Sequence, residues 1–273
     1  MSQNSKITNW KYTLGRVLLF CIVNAILLMV GSALTHQLAR PWSDILLAGL
    51  AGIFVFSVTV LFVRWEGLRL SDVGVIPGKL TFFHLVIGVL IGTLLVGLHV
   101  ALKMIYGHLS LNITPDVRFS SVVITLLLYC LLALREELAF RGYPLRSLNY
   151  GIGAWKAQII IAMIFSLEHL AGGYTWMQAF FGAGIGAILF GIAALKTKGI
   201  ALPIGLHAAW NFGQWCVGFK NEPGIWQAVV EKGYEAKQDQ IGFISYILVM
   251  GLAILSFYFY QHKTSIDSSV IHG

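Results

Sequence analysis

The sequence predicts an all-α, polytopic membrane protein with about eight transmembrane helices and both termini cytoplasmic. Three observations lead there. Mean hydropathy is +0.77; only 11% of the 273 residues are charged, against about 25% in soluble domains; and the apolar residues gather into stretches near the ~20 needed to cross about 30 Å of hydrocarbon. The net charge of +7 would suit a nucleic-acid partner if it formed one basic face. Instead, Lys and Arg sit in short connections between apolar runs, so no nucleic acid is expected.

The apolar stretches run approximately over 14–35, 45–63, 80–102, 121–141, 154–170, 176–195, 200–219 and 241–260. The first follows Lys11 and Arg16, and Gly31-Ser32-Ala33 is a weak cleavage site, as in a signal peptide. Its apolar run is too long for one, and it is read as a retained helix. Gly88/Gly92 and Gly182/Gly186 form G-x-x-x-G pairs, read as close helix packing. Cys21, Cys130 and Cys216 lie far apart in apolar segments and are read as small core residues. The one sizeable polar connection, 220–240, is read as a loop on the outer face. With the N-terminus inside, 13 of the 19 Lys and Arg residues fall on the cytoplasmic side, the bias expected of a membrane protein. The predicted location is the cell (plasma) membrane, multi-pass. No repeat, low-complexity tract or long linker divides the chain, so 1–273 is read as one membrane domain.

Three polar clusters interrupt this apolar background: Arg135-Glu136-Glu137 with Arg141, Phe165 with Glu168-His169, and His207 with Asn211. Ionisable groups in spanning helices cost roughly 2.5–3.5 kcal/mol each on insertion scales, so their retention points to use. On a helix, Glu137 and Arg141 share a face and can pair, while Glu136 turns elsewhere with Phe140 and is free to face a wet cavity. The i, i+4 spacing also puts the His207 imidazole and the Asn211 carboxamide on one face. His36, His84, His99, His108, His262 and His272 lack comparable local partners and receive no chemistry. If the fourth helix continues to about Asn149 and the fifth starts near Gly153, rise per residue sets Glu136 and His169 at about 20 and 24 Å from that turn, a similar depth. His207 is shallower, at about 12 Å, so its helix must tilt or start deeper; Pro144 and Pro203 mark places where a helix can bend.

A carboxylate, two histidines and an asparagine in a dry pocket suit amide hydrolysis, which needs a base for water and donors for the oxyanion. Desolvation raises a buried carboxyl towards neutrality, which suits Glu136 as the base. His169 would hold the water or the carboxylate, and His207 with Asn211 would face the oxyanion. The chain has no H-E-x-x-H, no G-x-S-x-G and no aspartate in the middle of an apolar run, which argues against zincin, serine and aspartyl chemistry. The expected cofactor is none, although a divalent metal such as zinc is compatible with Glu136, His169 and His207 as ligands. A proton-coupled transporter would also keep such residues, but no inverted repeat is visible.

The ordered set E-E-x-x-x-R (Glu136, Glu137, Arg141), F-x-x-x-H (Phe165, His169) and H-x-x-x-N (His207, Asn211) resembles the CPBP family of CAAX proteases and bacteriocin-processing enzymes. This family includes the type II CAAX prenyl proteases. The resemblance covers roughly 118–216 and implies an all-helical intramembrane endopeptidase. In it Glu136 activates water, His169, His207 and Asn211 complete the site, and Glu137, Arg141 and Phe165 support it. The implied partner is a membrane-embedded or lipid-modified peptide or protein. A non-catalytic immunity or scaffold protein of the same fold is the alternative.

Overall fold

A computed structural model describes residues 9–220 and 222–270, with residues 260–270 described by backbone alone. The helices α1 (Trp10–Thr35), α2 (Trp42–Trp65) and α3 (Thr81–Tyr106) are long and apolar. A short strand, β1 (Leu109–Ile113), leads to α4 (Phe119–Glu137), which widens into a π-turn (Leu138–Gly142) and continues as α5 (Tyr143–Ile152). Next come α6 (Ala154–Ala171), a π-helical entry (Met177–Ala183) into α7 (Gly184–Thr197), α8 (Ala201–Cys216), β2 (Trp226–Val230) and α9 (Glu235–Val270).

Among the described residues six helices are long and apolar enough to cross a membrane: α1, α2, α3, α6, the π-helical entry with α7, and α9 up to Phe259. The two expected spans outside that set carry two of the three polar clusters. α4 ends in Arg135, Glu136 and Glu137, and α8 is only 16 residues long. Many large apolar side chains stay exposed on α1, α3 and α9, including Ile22, Met29, Leu90, Leu94 and Leu252. For a membrane-embedded protein this is the surface that meets lipid.

Two apolar cores hold the helices together. One joins α1, α2, the α4–α5 region and α6 through Phe20, Phe62, Tyr143, Leu145, Leu148 and Phe165. The other joins α3, α7, α8 and α9 through Leu95, Leu189, Phe190, Leu206, Trp210 and Met250. At one end of the first core, Glu66 accepts from Thr13, Arg16 and Tyr143, which ties α1, α2 and α5 together.

The Gly88/Gly92 pair packs as expected, and its partner is α8. A Cβ on Gly88 would strike the Leu202 carbonyl, one on Gly92 the Leu206 carbonyl, and one on Gly205 the Leu85 carbonyl. Backbones can approach this closely only where both helices carry small residues. The Gly182/Gly186 pair behaves differently: space around Gly182 is open, and it is Gly184 and Gly191 that sit against Ser166 and Gln158 of α6.

Several expectations need correction. The 220–240 connection is not a plain loop: β2 pairs antiparallel with β1 from Leu109↔Val230 to Ile113↔Trp226, and α9 already starts at Glu235. Cys130 is exposed on α4 rather than in a core, whereas Cys216 is buried. His99 and His108 do have partners, supplied by distant segments: His99 Nδ1 lies 3.0 Å from Ser245 Oγ, and His108 Nδ1 lies 2.8 Å from Glu231 Oε2. The termini, His262, His272, Lys6 and Lys263 lie outside the described residues and side chains.

Candidate active site

The polar clusters meet at the seam between the two cores. The fourth helix does run on past Arg141, as expected, but not straight. Its backbone breaks at Gly142, where φ −71°, ψ −116° leaves the helical region, and Pro144 sits in the first turn of α5, where its fixed φ and missing N–H are tolerated. The mismatch in depth expected for His207 is not seen: its Nε2 lies 3.7 Å from Glu136 Oε2.

Glu137 and Arg141 pair as the spacing predicts, with Glu137 Oε2 3.4 Å from Arg141 Nε and both side chains fully buried. Arg141 also sits in an aromatic box. Its guanidinium carbon lies 4.6 Å from the ring centre of Phe165, 5.4 Å from Phe190 and 5.8 Å from Phe140, contacts that favour a weakly hydrated cation. Phe165 thus has two roles in packing, since its ring also meets Phe140 edge-on at 4.9 Å.

The other Glu137 oxygen does something the spacing could not reveal. Oε1 accepts from His207 Nδ1 at 2.8 Å, while the imidazole stacks on Phe190 at 4.5 Å between ring centres. Carboxylate and ring together fix the imidazole and leave Nε2 facing Glu136.

Glu136 is not free. Its Oε1 accepts from Arg135 Nη2 at 2.9 Å, and Arg135 Nη1 reaches Glu168 Oε1 at 2.8 Å. Arg135 is thus shared between two carboxylates on neighbouring helices, a charge-assisted arrangement that sequence adjacency alone did not expose. Glu136 Oε2 is the oxygen left towards His207.

His169 Nδ1 lies 3.0 Å from the Phe165 carbonyl. A carbonyl only accepts, so Nδ1 carries the proton and Nε2 is left as an acceptor. Tyr174 meets the ring edge-on at 5.1 Å.

Glu136, His169, His207 and Asn211 all line one cavity of about 660 Å³. Its wall also includes Tyr129, Tyr174 and Lys220, the last from the loop after α8, which the sequence reading counted only as an outer-face charge. Lys220 Nζ donates to Asn211 Oδ1 at 2.9 Å. Burial pushes the Lys220 ammonium down to about 8, against the upward pull of Glu136.

Glu136, His169 and His207 fit a metal poorly. Among the described residues no group of three or more His, Cys, Asp and Glu side chains is placed to hold a metal ion, and Glu136 Oε1 is already engaged by Arg135.

Comparison with known proteins gives one match. Residues 118–213 fit the family model described as Rce1-like, type II CAAX prenyl endopeptidase Rce1-like. No curated protein and no solved structure matches the chain. The matched segment, about a third of the chain, contains all seven residues of the three motifs, from Glu136 to Asn211, and supports a likeness of this segment to the CAAX proteases.

Proposed function

We propose that this protein is an intramembrane endopeptidase that hydrolyses a peptide bond of a membrane-associated or lipid-modified peptide or protein, using water activated by Glu136. The observation that carries the reading is the shared cavity of Glu136, His169, His207 and Asn211, with one Glu136 oxygen held by Arg135 and the other turned inward. The match of residues 118–213 to a protease family model supports it.

In this reading Glu136 Oε2 removes a proton from a water that also donates to His169 Nε2. The resulting hydroxide attacks the scissile carbonyl. The Asn211 carboxamide N–H groups face the oxyanion, joined by His207 Nε2–H when that ring is doubly protonated with Nδ1–H on Glu137, and the proton held by Glu136 passes to the leaving amine. Glu137 keeps the His207 ring in place throughout, and Arg135 keeps the Glu136 carboxylate from rotating away. No step passes through a metal. We place the protein in the cell membrane, with both termini cytoplasmic, as a single membrane domain.

The test uses purified protein in lipid vesicles with a fluorogenic membrane-anchored peptide. Wild-type protein cleaves it, and Glu136→Gln and His169→Ala lose the activity. A Glu136→Gln protein that cleaves at the wild-type rate overturns the role of Glu136 as base.

A further inference from the structure

We infer that Lys220 is a positioning residue for the reaction: from the loop after α8 it grips the Asn211 side-chain oxygen and turns the carboxamide N–H groups towards the oxyanion. The inference rests on the hydrolytic reading above.

The chemistry of the pair fixes its orientation. An ammonium has donors only, whereas a carboxamide has a donor end and an acceptor end. With Lys220 Nζ 2.9 Å from the Asn211 side chain, the atom that meets it must be the oxygen. The Asn211 NH₂ group is then the end left for the cavity that both residues line. Without the lysine, the carboxamide could rotate and present its oxygen to the oxyanion, turning a stabilising dipole into a repulsive one.

The loop is built to hold the lysine there. Phe219 N donates to the Gln214 carbonyl at 2.9 Å and Gly218 N to the Trp215 carbonyl at 3.0 Å, folding the chain back over the end of α8. Gly218 takes φ +76°, a left-handed turn that costs glycine little. The Lys103 ammonium lies 3.8 Å from the ring centre of Phe219, which anchors the preceding residue to α3. Lys220 itself lies 5.9 Å from the Tyr129 ring centre on α4. A surface lysine on a loose loop would have none of these restraints.

A positioning role through Asn211 makes a prediction that a general packing role does not. Lys220→Met is expected to lower kcat roughly tenfold to a hundredfold, the scale of a misplaced catalytic group, with KM changed less than about twofold. Lys220→Arg, which keeps a donor-only cation, is expected to restore most of kcat. In an Asn211→Ala background, Lys220→Met is expected to cost nothing further, because the two act as one unit. Full kcat in Lys220→Met, with Glu136→Gln inactive, overturns the inference and leaves the hydrolytic reading intact. The same holds if the losses from Lys220→Met and Asn211→Ala multiply. Should wild-type protein leave the peptide uncut, or Glu136→Gln cut it, the hydrolytic reading falls and this inference with it.

Discussion

Glu137 is the most heavily used side chain of the site. One oxygen faces Arg141 and the other holds His207, with no exposure to solvent or lipid. Removing a partner from a buried ion pair leaves an uncompensated charge, which costs about 3–5 kcal/mol. Glu137→Ala is therefore expected to lower the unfolding temperature in detergent sharply, while Glu136→Gln, at the cavity wall, leaves it close to wild type. Thermal unfolding followed by tryptophan fluorescence checks both. A second expectation at this scale concerns Asn211→Ala. Loss of one oxyanion donor lowers kcat by roughly a hundredfold to a thousandfold, which a progress curve on the fluorogenic peptide would read directly. Half of this chemistry was legible from spacing. The i, i+4 rule found Glu137 with Arg141 and placed His207 with Asn211, because helix geometry fixes those neighbours locally. It could not find Glu137 with His207, 70 residues apart, or Lys220 with Asn211, since a pairing across a loop leaves no periodic trace.

At the level of elements, the crossing of α3 and α8 decides where His207 and Asn211 stand. Gly88, Gly92 and Gly205 let the two backbones touch, and His207 follows two residues after Gly205. A side chain at Gly205 would force the helices apart, and overpacking of this kind costs typically 1–3 kcal/mol. Gly205→Leu is expected both to destabilise the protein and to abolish cleavage, whereas Gly49→Leu, where α2 has open space, is expected to do neither. Thermal unfolding and the peptide assay on the same samples separate the two. The third-helix G-x-x-x-G pair was visible in the sequence, but its partner helix was not. Pro144 marked the bend that falls at Gly142, but the π-turn before it and the β1–β2 ribbon were missed for a related reason: the π-turn sits inside an uninterrupted polar-apolar pattern, and two five-residue strands are too short to assert a period against long apolar helices.

On the scale of the whole molecule, the apolar stretches in the sequence correspond to the helices, because burial in lipid demands length and apolarity that leave a plain signature. The exceptions are α4 and α8, where the site displaces apolar residues. The direction of the cavity was not legible at all. Its loop residues are Gly172, Gly173 and Tyr174 after α6, and Phe219 and Lys220 after α8. Both loops lie at the end of the bundle that carries the β1–β2 ribbon, away from the connections at Gly153 and Lys198. The orientation proposed above, with both termini cytoplasmic, would put that end outside the cytoplasm. In a cysteine-free background, a membrane-impermeant maleimide applied to intact cells is expected to label Gln227→Cys on the ribbon and not Lys156→Cys at the start of α6. The reverse pattern would turn the mouth inward. With the predicted pattern, the proposed peptidase would meet its substrate from the outer face, so that cleavage would follow export of the chain to be cut rather than precede it.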